Sequence, residues 1–208
     1  EQLSKGTAFS LATESEIKLA ELLCGRISSC EQVRFCNSGT EAVMGAIKAA
    51  RAFTNRPAII KIEGSYHGTY DHAEASLGSD PSNWGTAHQP ITIPYSTGTP
   101  ESLAEEVVVV QFNDVNGVTE AIQRIGPRLA AVLLDAMPSR VGMPAIEQSF
   151  IEAIRTGTTD VGALLILDEV ISFRLALGGA QSLHNIEPDL TALAKIIGGG
   201  FPVGAIGG

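Results

Sequence analysis

The chain has 208 residues, of which 44% are hydrophobic and 18% are charged, and its formal net charge is −9. This composition is typical of a globular chain with a buried core and argues against a disordered one. The negative charge argues against nonspecific nucleic-acid binding, which needs basic patches, and no apolar run reaches the roughly 18 residues of a membrane span.

Helices and short apolar strands alternate along the chain. In chain order the pattern predicts a helix over 13–23, capped by Thr13, a strand over 32–36, a helix over 41–53, strands over 58–62 and 107–112, a helix over 115–125, a strand over 129–134, a helix over 147–156, a strand over 163–167 and a short helix-like stretch over 189–194. Residues 64–105 show little periodicity and are expected to be functional or mobile. The alternation predicts one α/β domain of three layers (α/β/α) with a mostly parallel sheet.

The two ends of the sequence bear on whether it is part of a longer protein, and the cysteines bear on its cellular compartment. The sequence lacks an initiator Met and stops in a glycine-rich apolar stretch, residues 205–208, so we expect it to be part of a longer protein. Cys24, Cys30 and Cys36 lack the paired short spacing of zinc sites, and we expect them to be reduced thiols of a cytoplasmic protein.

Small residues open the helix that follows the first strand. At Ser38, Gly39 and Thr40, free backbone N–H groups are expected to point at one spot, with the positive end of the helix dipole behind them. This arrangement predicts a phosphate site, to which the Ser38 and Thr40 hydroxyls would donate. The alternative is an ordinary helix cap, because Ser and Thr are common at that position.

Tyr66 and His67 follow the next strand and are flanked by glycines. An aromatic ring at a strand end can stack on a flat heteroaromatic cofactor, and His67 would then form a hydrogen bond nearby. The alternative is a turn with a partly exposed Tyr and His. His67, His72 and His88 lie in a loop without helical spacing or paired carboxylates, so we expect no metal site.

Asp168 follows a buried apolar strand, where a charge is costly unless it is paired. Its partner is either a protonated pyridine nitrogen or a structural cation such as Arg174. Val170, two residues on, is expected to face the same way and to pack against a cofactor ring, whereas Glu169 points away.

Lys195 precedes a run of three glycines, Gly198–Gly200. Val203 replaces the third glycine of a dinucleotide fingerprint and no Gly-Lys-Ser/Thr follows, so the run does not predict a nucleotide loop. A lysine that forms a Schiff base with an aldehyde, and an acid that keeps a pyridine nitrogen protonated, are the two groups that pyridoxal phosphate chemistry needs. Lys195 and Asp168 therefore predict a pyridoxal phosphate site.

With these motifs assembled, the chain resembles the class III aminotransferases of the fold-type I pyridoxal phosphate superfamily. Within that class it most resembles the glutamate-1-semialdehyde 2,1-aminomutase-like group. The resemblance rests on six segments in family order, which are residues 37–44, 66–68, 167–170, 178–181, 188–191 and 195–208.

The resemblance implies a role for each matched residue. Lys195 is the Schiff-base lysine and the proton shuttle, and Asp168 pairs with the pyridine nitrogen, so these two are the expected catalytic residues. The other residues expected to bind pyridoxal 5'-phosphate are Ser38, Gly39 and Thr40 at the phosphate, Tyr66 and Val170 on the two faces of the ring, and His67 in the aromatic corner beside Tyr66.

The resemblance also implies partners and organisation. It implies a homodimer and a small-molecule substrate, either an amino acid or an amino-aldehyde. Residues 1–208 would form part of the large, cofactor-binding domain, with the C-terminal small domain and much of the N-terminal segment absent.

One segment departs from the family pattern. Asp135-Ala136 stands where the family usually has Glu-Pro, and Arg140 stands where many aminotransferases have Glu and the aminomutases a small polar residue. Arg140 is expected to bind a substrate carboxylate bidentately. The alternative is a surface or structural arginine in a reshaped loop.

Three functions remain open on the sequence. The first is intramolecular amino transfer of the aminomutase type. The second is a class III transaminase acting on an acidic, β- or ω-amino acid. The third, from another class, is a non-catalytic fragment.

Overall fold

The computed structural model describes residues 2–6, 9–86 and 89–208, so that His88 lies outside the described residues. Within these ranges the strands are β1 (Val33–Cys36), β2 (Ala58–Ile62), β3 (Val107–Val110), β4 (Leu129–Leu134), β5 (Leu164–Asp168), β6 (Leu190–Leu193) and β7 (Gly204–Gly207). The α-helices are α1 (Glu14–Arg26), α2 (Gly39–Thr54), α3 (Asp71–Glu74), α4 (Val115–Ile125), α5 (Gln148–Val161) and α6 (Gly179–His184).

The strands form one sheet in the order β1-β7-β6-β5-β4-β2-β3. Strand β7 runs antiparallel to both of its neighbours, and every other adjacent pair is parallel. All six residues of β4 are buried, as expected for a central parallel strand that is covered on both faces. The prediction of a mostly parallel sheet is confirmed.

Helices cover both faces of the sheet. Alternate strand residues such as Val132 and Leu134 pack against α4 and α5, while Ala131 and Leu133 pack against α2 and α3. This division follows from the period of two along a strand, which sends successive side chains to opposite faces. The predicted three-layer α/β/α architecture is therefore confirmed.

Local signals account for most of the helix boundaries. The Thr13 side chain accepts a hydrogen bond from the Glu16 backbone N–H at 3.3 Å and caps α1 as predicted. Helix α5 continues beyond its predicted end to Val161, where Gly162 adopts φ +67° and stops it. In the described part of the chain, no helix is both long and apolar enough to cross a membrane.

Two sheet elements differ from the sequence prediction. The predicted helix-like stretch over 189–194 is wrong, because residues 190–193 form strand β6 between β5 and β7. Burial of Thr191, Ala192 and Leu193 in succession suits a strand covered on both faces better than a helix. Strand β7 was not predicted, because its glycines have low strand propensity and it gains its order from antiparallel pairing with β1 and β6.

Candidate cofactor site

A cavity of about 270 Å³ lies at the carboxyl edge of the parallel strands. Strands β2, β4, β5 and β6 all end there, which is where open α/β sheets usually bind ligands. The cavity is lined by all eight predicted cofactor residues, namely Ser38, Gly39, Thr40, Tyr66, His67, Asp168, Val170 and Lys195. The fold thus brings together residues from four distant parts of the chain.

Asp168 is the last residue of β5, one residue later than the predicted strand end, and only 5% of its surface is exposed. Its Oδ2 atom lies 2.8 Å from His67 Nδ1, and its Oδ1 atom accepts a hydrogen bond from the Val170 N–H at 2.9 Å. The partner of Asp168 in the chain is therefore His67, and not the suggested Arg174, whose side chain is exposed.

Burial lowers the pKa of His67, and the neighbouring Asp168 offsets only part of that shift. A neutral imidazole next to a carboxylate carries its proton on Nδ1, from which it donates to Asp168. His67 Nε2 is then a buried acceptor without a hydrogen-bond partner among the described residues.

Val170 lines the cavity from a turn and not from the predicted extended strand. We expected it to face the cavity as part of an extended strand, but β5 ends at Asp168 and Val170 lies in the following turn. Glu169 points away as predicted. Its carboxylate accepts hydrogen bonds from the backbone N–H groups of Ala180 and Gln181 at the start of α6.

Lys195 begins a short 3-10 turn, Lys195–Gly198, which is separated from β6 by one residue, Ala194. Its φ is +47°, in the left-handed region that residues with a side chain rarely adopt. Such a conformation costs on the order of 1–3 kcal/mol and is typically found at functional sites. Lys195 is exposed and lines the cavity, so its amine is available to a ligand.

The start of α2 forms one wall of the cavity. The Ser38 side chain accepts a hydrogen bond from the Glu41 N–H at 3.1 Å, so Ser38 is the helix cap of the alternative interpretation. Within the described structure the N–H groups of Gly39 and Thr40 have no hydrogen-bond acceptor and remain available to an anion. The helix cap and the free N–H groups therefore coexist at this helix end.

Gly68 packs directly on Thr40, which links the Tyr66 loop to α2. The Thr69 N–H also donates to Thr40 Oγ1 at 3.3 Å. Gly68 has φ +92°, and a β-carbon there would collide with the backbone and side chain of Thr40. A glycine is therefore required at this contact.

We expect Gly68→Ala to displace Thr40 and weaken anion binding at α2. The matched control is Gly142→Ala, because Gly142 has φ +93° but open space around its β-carbon position. Both variants share the left-handed strain, while the collision at Gly68 adds about 1–3 kcal/mol of destabilisation. Urea unfolding measures this difference, and equal free energies of unfolding for the two variants would contradict the packing argument.

The structure adds Asp135, which sequence reasoning noted as a departure but did not place in the site. It follows β4, lines the cavity and is 5% exposed. Burial and the neighbouring Asp168 raise the pKa of Asp135 to about 7, although it accepts a hydrogen bond from the Met137 N–H. Asp135 follows a buried parallel strand and Asp168 ends one, and this position in the sequence was the signal for the placement of Asp135.

Arg140 lies at the mouth of the site and does not line the cavity. It belongs to the exposed turn Ser139–Val141, and its guanidinium carbon is 5.7 Å from the centre of the Tyr66 ring, within cation–π distance. The structure thus places Arg140 against one predicted cofactor residue. Among the described residues, no group of three or more His, Cys, Asp and Glu side chains is arranged to hold a metal ion.

In the sheet of the described residues β7 alone runs antiparallel to its neighbours, and one cavity is lined by both the exposed Lys195 and the buried Asp168. The aminotransferase class-III family profile matches residues 1–208, and the chain belongs to that family.

Curated relatives include two proteins named glutamate-1-semialdehyde 2,1-aminomutase. That of Pyrobaculum calidifontis is 46% identical over all of this chain and 46% of its own length. That of Desulforudis audaxviator is 47% identical over 98% of this chain and 46% of its own length. The chain therefore spans about half the length of the curated relatives it matches.

Solved structures include an omega-transaminase from Sphaerobacter thermophilus. It superposes with a TM-score of 0.95 and 52% identity, covering 100% of this chain and 47% of that one. A beta-phenylalanine aminotransferase from Variovorax paradoxus superposes with a TM-score of 0.81 and 35% identity, covering 99% of this chain and 43% of that one.

Proposed function

We propose that this chain binds pyridoxal 5'-phosphate and carries the lysine that performs amino-group transfer of the glutamate-1-semialdehyde 2,1-aminomutase type. The observation that carries the proposal is the meeting of Lys195, the buried Asp168–His67 pair and the free N–H groups of α2 in one cavity. The aminomutase relatives, 41–47% identical, support the reaction type.

The residues present fit this cofactor. Gly39 and Thr40 offer unpaired N–H donors at a helix start, which suit a phosphate. Asp168 is a buried carboxylate with one side-chain and one backbone donor, which suits a further cationic N–H. Val170 and Tyr66 supply apolar and aromatic surface in the same cavity.

When bound, pyridoxal phosphate supplies an aldehyde that captures amines and a ring that accepts electrons. Lys195 would hold the cofactor through its aldehyde. The Lys195 amine would also be the group that takes up and returns protons during amino transfer. Asp168, oriented by His67 and by the Val170 N–H, would hold the proton of the pyridine nitrogen.

We propose that residues 1–208 form part of the large domain of a longer enzyme, which a C-terminal small domain completes. The half-length match to the relatives supports this organisation. A homodimer is supported by the exposed apolar side chains Ile196 and Phe201 beside the cavity. A reducing, cytoplasmic location is supported by three free cysteines.

A transaminase is the second candidate function. It is favoured by the 52% identity to an omega-transaminase, which exceeds the identity to the aminomutases cited above. The two reactions differ in their need for an acceptor, because an aminomutase returns the amine to a neighbouring carbon of the same molecule. A transaminase instead releases a keto product and passes the amine to a second substrate.

The test of the proposal is amine transfer by full-length protein loaded with pyridoxal phosphate. Glutamate-1-semialdehyde is supplied alone in one series, and β- and ω-amino donors are supplied with a keto acid in the other. Movement of the amine without an acceptor supports the aminomutase. Turnover only in the second series identifies a transaminase, and no turnover in either series contradicts the proposal.

We expect Arg140→Ala to raise the KM for carboxylate-bearing substrates by about 10- to 100-fold, because a hydrogen-bonded charge pair contributes about 1.5–3 kcal/mol. The control variant is Arg174→Ala, which removes another exposed arginine. An amine substrate without a carboxylate should retain its KM in both variants. An unchanged KM for carboxylate substrates would show that Arg140 only stacks on Tyr66.

A further inference from the structure

Lys61 is a lysine without exposed surface, located in strand β2. We propose that Lys61 is a positioning residue, which joins the two ends of segment 65–75 and so holds Tyr66 and His67 at the cavity. The inference rests on the proposed function, since Tyr66 and His67 matter there as cofactor residues.

Two hydrogen bonds carry the inference. Lys61 Nζ donates to the Ser65 carbonyl oxygen at 3.1 Å and to the Ala75 carbonyl oxygen at 2.5 Å. One residue outside each of these positions, the Gly64 N–H donates to the Ser76 carbonyl oxygen at 2.9 Å. The amine therefore closes a loop whose ends already meet, and Tyr66 and His67 directly follow one of its two anchors.

The burial of Lys61 indicates a specific need for its amine. A buried ammonium costs several kcal/mol unless it is well hydrogen-bonded, and an apolar side chain of similar volume would avoid that cost. Burial lowers the pKa of Lys61 to about 7, despite the charges of Glu63 and Glu74. A neutral amine retains two N–H donors, which match the two carbonyl acceptors, so the closure persists when Lys61 loses its proton.

The charge of Lys61 also acts on His67. The ammonium form contributes to the lowered pKa of His67, alongside the larger effect of burial. It thereby favours the neutral imidazole whose Nδ1–H donates to Asp168. Lys61 is thus connected to the catalytic acid through the backbone of the loop and through the charge state of His67.

The test compares Lys61→Met, of similar volume, with Lys48→Met, which removes an exposed lysine from α2. In cofactor-free protein we expect Lys61→Met to lose hydrogen-exchange protection within residues 63–76 by about tenfold or more. The NMR signal of the His67 ring, assigned with His67→Gln, should shift, and its pKa should rise. Pyridoxal phosphate should bind about tenfold more weakly, while Lys48→Met leaves all three properties unchanged.

The pH dependence of stability provides a readout that loop packing alone would not change. The pKa of about 7 in the folded chain lies below the value of about 10.4 for an unperturbed lysine. Between these values the unfolded chain binds more protons, so Lys61 makes the free energy of unfolding rise as the pH rises from about 7 to 10.4. Lys61→Met should lose this rise, and Lys48→Met should keep it.

Lys61→Gln separates the donors from the charge, because the amide keeps two N–H groups. It should retain part of the loop protection and lose the pH-dependent rise, and it also serves if Lys61→Met does not fold. Normal protection of residues 63–76 in both Lys61 variants would overturn the inference. If the wild type binds no pyridoxal phosphate but the Lys61 variants still lose hydrogen-exchange protection of residues 63–76, the proposed function is contradicted. The Lys61 inference then stands, because the loss of protection does not depend on the cofactor.

Discussion

Replacing Lys195 with alanine is expected to abolish the visible absorbance band that develops when pyridoxal phosphate is added. Amine transfer should fall by at least about 10³-fold, because both the nucleophile and the proton shuttle are lost. Lys195 is suited to both roles because it extends into the cavity from a strained position with φ +47°. The strain is local to the strand end, so the fold should persist in Lys195→Ala.

The measurement is an absorbance spectrum before and after gel filtration, followed by treatment with borohydride. Lys48→Ala is the control, since Lys48 is exposed on α2, away from the cavity lining. The wild type and Lys48→Ala should retain a band that borohydride bleaches. A band of equal intensity in Lys195→Ala would assign the Schiff base to another lysine and disprove the central role of Lys195.

Asp168→Asn is expected to lower the rate of amine transfer by about 10³-fold while leaving the protein folded. An amide holds no negative charge beside the pyridine nitrogen, and removal of one such electrostatic contact typically costs about 10²–10³-fold in rate. The amide oxygen can still accept the His67 Nδ1–H, which preserves the buried hydrogen bond found at 2.8 Å, and only the hydrogen bond from the Val170 N–H is lost. The effect should therefore appear in kcat more than in the free energy of unfolding.

The control for this prediction is Asp160→Asn, an exposed position near the end of α5. Single-turnover rates and urea unfolding are measured for both variants. A normal rate of amine transfer in Asp168→Asn would show that protonation of the pyridine nitrogen does not depend on Asp168. A loss of stability without a loss of rate would instead assign Asp168 a purely structural role through His67.

Residue chemistry made the core of the site predictable. A buried strand that ends in an acid, combined with a lysine before a glycine-rich run, is unusual enough to indicate pyridoxal phosphate. The same reasoning did not identify the partner of Asp168 within the chain. His67 is separated from Asp168 by 101 positions, and no local pattern distinguishes it from Arg174, which is only six residues away.

Lys61 shows a second limit of local patterns. In the sequence it is one charged residue in the strand Ala58–Ile62, where a lysine usually reaches solvent. Its burial arises because β2 lies between β3 and β4, with α2 and α3 covering one face. The carbonyl groups that satisfy it come from the irregular segment that follows, whose path carries no periodic signal.

The sequence by itself determined the α/β class, most helices and strands, and eight residues that line the cavity, because periodicity, caps and residue type act over a few positions. Tertiary structure decided strands β6 and β7, the Asp168–His67 pair, the placement of Asp135 and the burial of Lys61. Each of these depends on which strands become neighbours, and that is a property of the assembled sheet. Parallel strands bring their carboxyl ends to one edge, and residues far apart in the chain meet there.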